Sequence, residues 1–128
     1  MAQVQQQDHT TQAIRRQLGR LIDSSQQAVY VYLDDHRKIC NQRFADLLGY
    51  GSPAAWEQVH TNFPSTFVAD SSQDTLVRTF QDAMSHGTGS NVPITWKRKD
   101  GKTVSTNVVL VPIELEGERF ALHFIRPT

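Results

Sequence analysis

Residues 38–50 read KICNQRFADLLGY, and this stretch decides the fold. An apolar strand end runs straight into Asn41, whose side chain can accept hydrogen bonds from the free amide groups of a helix's first turn. Apolar residues then fall on one helical face, and Gly49 ends the helix because glycine adopts positive φ without strain. The pattern predicts a strand that turns directly into a short helix, which is scaffold and carries no chemistry.

A second informative stretch, residues 94–102, reads ITWKRKDGK. Both residues of Asp100-Gly101 tolerate positive φ, so the pair predicts a tight hairpin turn. A long alternating strand over 102–114, a turn at 116–118 and a last strand follow. The C-terminal part is therefore predicted to be three antiparallel strands.

The rest of the chain completes the element order. Residues 28–33 and 38–41 predict a hairpin because the first run is β-branched and aromatic. A short helix over 53–59, an irregular turn over 62–67 and a long helix over 71–86 follow. Strands separated by helices in this order predict an α+β fold, with an antiparallel sheet and helices on one face.

The N-terminal region predicts an amphipathic helix. Residues 1–9 are rich in glutamine and predict a disordered tail, residues 10–23 the helix, and residues 24–128 the domain. The helix has an apolar stripe that needs a partner, either the chain's own sheet or the same helix of a second copy. The candidate dimer-interface residues are Ile14, Leu18, Leu21 and Ile22.

The two quoted stretches resemble the signature of PAS domains: a strand, Asn, two variable residues, Phe and a Leu-Gly-Tyr helix end, and later a basic strand closing on Asp-Gly. The resemblance covers roughly residues 22–126. It implies a five-stranded antiparallel sheet in the order 2-1-5-4-3. It also implies a sensory or signalling domain that forms a homodimer, acts on an output domain or partner protein, and is not an enzyme.

Aromatic residues of this fold surround the space between sheet and helices. That space is either a filled core, the default for a small domain, or an apolar ligand pocket. Nothing in the residues selects a chemical class of ligand. The ligand-pocket candidates are Phe44, Leu48, Trp56, Phe63, Phe67, Phe80, Met84 and Trp96.

Members of the family that this chain resembles bind haem or flavin, and the residues here argue against both cofactors. Some PAS domains bind haem through a histidine on the long helix, but His86 stands at a helix C-terminus, where it favourably meets the helix dipole. Relatives that form a cysteinyl-flavin adduct carry the cysteine after an asparagine, whereas Cys40 precedes Asn41. The cofactor therefore stays unknown. His123 alternates with Leu122 and Phe124 and is expected to face outward.

Composition excludes several partners. Thirteen basic residues balance thirteen acidic ones, so no net field attracts nucleic acid. No apolar run approaches the roughly 20 residues that span a bilayer. The single cysteine implies no oxidising compartment, which favours the cytoplasm. The alternatives left open are a sensor with an unidentified cofactor and a cone-like α+β isomerase or dehydratase, for which convergent acid and base groups are missing.

Overall fold

Five strands form one antiparallel sheet in the predicted order β2-β1-β5-β4-β3. The computed structural model describes residues 2–128, with side chains described from residue 11 onward. The elements are α1 (Ala2–Ser24), β1 (Ala28–Asp34), β2 (Arg37–Cys40), α2 (Gln42–Leu47), α3 (Pro53–Glu57), α4 (Phe63–Phe67), α5 (Asp70–His86), β3 (Ser90–Lys97), β4 (Thr103–Leu115) and β5 (Glu118–Pro127). Among these helices, none combines the length and apolar character required to cross a membrane.

Helix α1 lies on the outer face of the sheet, and α2 to α5 close the inner face. Ile14 and Ile22 of α1 are buried in an apolar cluster with residues of β1, β2 and β5, including Val31. The predicted apolar stripe thus has the chain's own sheet as its partner at these two positions. The inner layer holds a second, larger cluster around Tyr30 and Phe44.

The start of α1 differs from the sequence-based expectation. The sequence predicts a tail over residues 1–9, whereas the helix spans Ala2–Ser24 in the structure; Met1 lies outside the described residues. The glutamine-rich run contains neither glycine nor proline, and alanine and glutamine are good helix formers. The run therefore does not interrupt a helix that begins before residue 10.

Most of the segment 62–67, predicted to be an irregular turn, forms helix α4. The Asn62 side chain accepts a hydrogen bond from the Ser65 amide at 3.1 Å, and Pro64 occupies the first turn, where its missing N–H costs nothing. Helix α5 begins without a side-chain cap, because its N-cap residue is Ala69. Ser72 instead accepts a hydrogen bond from Thr95 of the edge strand β3 at 2.9 Å.

Asn41 is the junction of three elements. Its Oδ1 accepts from the amide of Phe44 at 3.0 Å and from the amide of Val29 at 3.1 Å. Its Nδ2 donates to the carbonyls of Ile22 and Gln27, both at 2.9 Å. A carboxamide has two acceptor positions and two donors, so this buried side chain uses its full capacity. It fixes the end of α1, the start of β1 and the first turn of α2 together.

Replacing Asn41 with alanine should lower the free energy of unfolding by about 3 kcal/mol, because four backbone groups lose their partner in a dry interior. Urea denaturation of N41A and wild type would measure the difference. The neighbouring Arg43→Ala change at an exposed position should cost no more than about 0.5 kcal/mol. Equal losses in the two variants would contradict the role given to Asn41.

Candidate functional site

Tyr30 of β1 is the centre of the inner-face packing. Its ring contacts Phe44 at 4.8 Å and both Trp56 and Trp96 at 5.7 Å, measured between ring centroids. The rings meet tilted or edge to face, which is the favourable arrangement for aromatic pairs. Around Tyr30 the space beneath α2 and α3 is therefore a filled aromatic core.

Beyond this core, towards α5, the packing leaves a cavity of about 350 Å³ between helices and sheet. This volume lies at the lower end of the range for small-molecule sites. Its exposed lining residues are Asn62 and Gln81, so the outer end is polar. The lining consists of Tyr30, Tyr32, Asn62, Phe63, Pro64, Leu76, Val77, Phe80, Gln81 and His123.

The sequence-predicted pocket residues separate into three groups. Phe63 and Phe80 line the cavity. Met84 is half-buried on α5, where its carbonyl accepts from Arg119 Nη1 at 2.9 Å. The remaining candidates are fully buried in the filled core: Phe44, Leu48, Trp56, Phe67 and Trp96.

His123 faces inward, contrary to the expectation from sequence. It pairs with Tyr30 across β5 and β1, is 1% exposed, and stacks on the Tyr30 ring at 4.0 Å with an interplanar angle of 10°. The expectation failed because β5 is covered on both faces, with Leu122 beneath α1 and His123 beneath the inner helices. Burial lowers the pKa of His123 to about 3, so the imidazole is neutral. Its Nδ1 has no hydrogen-bond partner among the described residues.

Tyr32 and Asp35 hold the wall of the cavity next to α4. Asp35 Oδ1 accepts from the Tyr32 hydroxyl at 2.8 Å and from the Phe63 amide at 3.1 Å. The Tyr32 ring lies edge-on to Phe63 at 4.8 Å and to Phe80 at 5.1 Å. Burial, followed by the bond to Asp35, raises the pKa of Tyr32, and burial likewise raises the pKa of Tyr30. Both phenols are therefore protonated at neutral pH.

Lys38 attaches the segment after α3 to β2. Its ammonium donates to the carbonyls of Asp35 at 3.2 Å and Glu57 at 3.1 Å, and also to that of Val59. It lies 5.1 Å from the centroid of the Trp56 ring, a favourable position for a cation. Burial lowers the pKa of Lys38. Three carbonyl partners satisfy its three donors, so Lys38 holds the chain in place and has no proton to spare for a ligand.

Solved structures with the same architecture show which fold this is. The PAS domain of an HTR-like protein from Haloarcula marismortui is 23% identical, covers 97% of this chain and 99% of its own, and has a TM-score of 0.62. A PAS domain from Colwellia psychrerythraea is 19% identical over 90% and 97%, with a TM-score of 0.69. The VqmA dimer of Vibrio cholerae is 11% identical over 88% of this chain and 51% of that chain, with a TM-score of 0.66.

The chain has the PAS fold. No protein-family model and no curated protein matches the sequence. At these identities the likeness concerns architecture alone. The resemblance found in residues 38–50 and 94–102 is thereby confirmed for the fold.

The four dimer-interface candidates occupy different positions on this PAS scaffold. Ile14 and Ile22 of α1 are buried in the apolar cluster between this helix and the sheet. Leu18 is partly buried and packs against the same cluster. Leu21 is 60% exposed. Together with Leu122 and others it borders a shallow apolar groove of about 220 Å³ beside α1.

Acidification should lower the stability of the fold partly through His123. Its folded-state pKa of about 3 lies below the ordinary value near 6.5, so between these values the unfolded chain binds the additional proton and acid favours unfolding. His123→Phe keeps a ring on Tyr30 but removes this titration. Between about pH 6.5 and pH 4.5, the unfolding free energy of wild type should fall with acidification more steeply than that of H123F, by about 1 kcal/mol per pH unit. Urea denaturation at each pH would measure both unfolding free energies. The same pH dependence in wild type and H123F would show that His123 does not contribute.

Proposed function

We propose that this PAS-fold chain is a sensory signalling domain that binds a small, mostly apolar molecule in the cavity between α5 and the sheet. The observation that carries the proposal is the cavity itself, which lies beside an otherwise tightly filled core. The cavity is open at its polar end, while its inner wall is mostly aromatic and apolar, which suits a small apolar ligand. A ligand that occupies it changes signalling only if it favours one arrangement of α5 over another.

The lining favours binding over catalysis. Its ionisable groups are Tyr30, Tyr32 and His123, and at neutral pH burial keeps both phenols protonated and the imidazole neutral. An isomerase or dehydratase needs an acid and a base that exchange protons near the working pH. These protonation states therefore support a binding role and not an enzymatic one.

A cavity-filling variant tests the ligand. Val77 lines the cavity from α5, so Val77→Phe should occupy the space with its own ring. We expect p-xylene to shift the amide NMR signals of α5 in wild type and to leave those of V77F unchanged. Arg78→Phe introduces the same side chain at an exposed neighbouring position and should keep the wild-type response. A response in V77F, or none in wild type, would reject binding at this place.

A second function, homodimerisation, is favoured by the exposed apolar surface around α1. Leu21 and Val109, the large apolar residues with the greatest exposure among those described, are 60% and 41% exposed. Val109 pairs with Phe124 across β4 and β5, and Phe124 borders the groove beside α1. A two-fold contact would set this apolar patch of one copy against the same patch of the other. The similar VqmA structure is described as a dimer, which supports the proposal.

Leu21 is a better position than Leu18 for a variant that tests dimerisation. Leu18 is half-buried, so a charge there would disturb the fold itself, whereas Leu21→Glu places the charge at an exposed position. Light scattering should give the molar mass of a dimer for wild type and of a monomer for L21E. Gln17→Glu adds the same charge at another exposed position of α1 and should remain dimeric. If L21E had the same molar mass as wild type, Leu21 would take no part in association.

A further inference from the structure

A surface groove lies at the end of the sheet where β1 begins and β5 ends, beside α2. Ala28 of β1 pairs with Ile125 of β5 there, and both residues line the groove. Arg43 of α2 and Arg126 of β5 also line it, so we call it the arginine groove. Its volume is about 480 Å³, and it shares no lining residue with the cavity beside α5 or the apolar groove beside α1.

The walls of the arginine groove are held by hydrogen bonds to the backbone. The carbonyl of Gln27 accepts from Asn41 Nδ2 at 2.9 Å, and Asn41 Oδ1 holds the first turn of α2, on which Arg43 lies. Further along α2, the carbonyl of Leu47 accepts from Arg98 Nη1 at 2.6 Å. The groove is therefore part of the folded framework and does not require a ligand to assemble it.

The two guanidinium groups of the arginine groove are free to bind. Arg43 and Arg126 are exposed, and neither has a hydrogen-bond or ion-pair partner among the residues whose side chains the structure describes. The described residues that line the groove also include no carboxylate. Arg78 of α5, by contrast, lines a surface depression together with Asp74. Two cations without a compensating acid in one concave surface attract a negatively charged group.

The rest of the lining favours carboxylates that lie next to apolar side chains. A guanidinium presents a planar fork of donors that matches a carboxylate or a phosphate in two parallel hydrogen bonds. Leu47, Ile125 and Pro127 add apolar groups, which a small inorganic anion leaves in contact with water and an apolar peptide side chain covers. The amides of Gln26 and Gln27 supply donors and acceptors for a peptide backbone.

We infer that the arginine groove binds an acidic segment of a partner protein, in which carboxylate side chains flank apolar ones. The inference goes beyond the proposed function, because it concerns a separate surface and does not depend on a ligand in the cavity. Nucleic acid fits less well, since its affinity comes from many phosphate contacts. The groove offers two cations, and the chain as a whole has thirteen basic and thirteen acidic residues.

NMR titration with two short peptides tests the inference. The acidic probe is acetyl-Glu-Glu-Leu-Leu-Glu-Glu-amide, and the neutral probe has glutamine in place of each glutamate. The acidic probe should shift the amide signals of Gln27 and Ile125 until they saturate. The neutral probe should bind about tenfold more weakly, the factor that two exposed ion pairs supply. An acidic probe that leaves these signals unchanged at low salt would overturn the inference.

A double variant with a matched control assigns the binding to the groove. Arg43→Ala combined with Arg126→Ala removes both guanidinium groups and should weaken binding of the acidic probe about tenfold. Arg16→Ala combined with Arg78→Ala removes the same charge at two exposed positions outside the groove and should keep the wild-type affinity. Equal weakening in the two double variants would reduce the effect to net charge and overturn the site. All four positions are exposed, so both double variants should fold.

Two further probes decide which kind of partner the groove accepts. Inorganic phosphate and a single-stranded oligonucleotide should both bind more weakly than the acidic peptide, because phosphate groups leave the apolar lining in water. Phosphate that bound as tightly as the peptide would make the groove a site for small anions and overturn the peptide partner. An oligonucleotide that bound more tightly would replace that partner with nucleic acid.

Discussion

The four hydrogen bonds of the Asn41 side chain are the constraint on which the rest of the domain depends. They join the last turn of α1 through Ile22, the entry to β1 through Gln27 and Val29, and the first turn of α2 through Phe44. Aspartate has the acceptors but lacks the donors, and serine lacks the reach to all four groups. One side chain therefore sets the position of the outer helix relative to the inner ones, across the sheet that separates them.

The two ends of the inner face are packed differently. Beneath α2 and α3 the large rings around Tyr30 interlock without leaving space. Towards α5 the buried residues are smaller: Ala83 and Ala121 form a minor cluster with Leu110, against which Phe80 packs. Phe80 belongs to both regions, since it packs on this minor cluster and also lines the cavity.

The sequence predicts those parts of the fold whose causes are local. Asn41 as a helix cap and the Asp100-Gly101 turn act within a few residues, and the structure contains both of them. His123 was misassigned because alternation reveals which residues share a face but not that both faces of a central strand are covered. The amphipathic helix before β1 already required a second covered face. Where packing leaves a gap depends on tertiary contacts, so the sequence named Phe63 and Phe80 but missed Tyr32 and Val77.

The two proposed roles share strand β1, and this explains how they can communicate. Successive side chains of a strand point to opposite faces, so Tyr30 and Tyr32 meet the cavity while Val29 and Val31 support α1. A second connection runs around the edge of the sheet, where Glu57 of α3 forms an ion pair with Arg15 of α1 and accepts from the Cys40 amide at 3.1 Å. A ligand that displaces β1 or α3 would therefore act on elements that contact α1 directly. The surface proposed for a second copy lies on that same helix, so β1 and the Glu57–Arg15 ion pair are the elements through which the two proposed roles would be coupled.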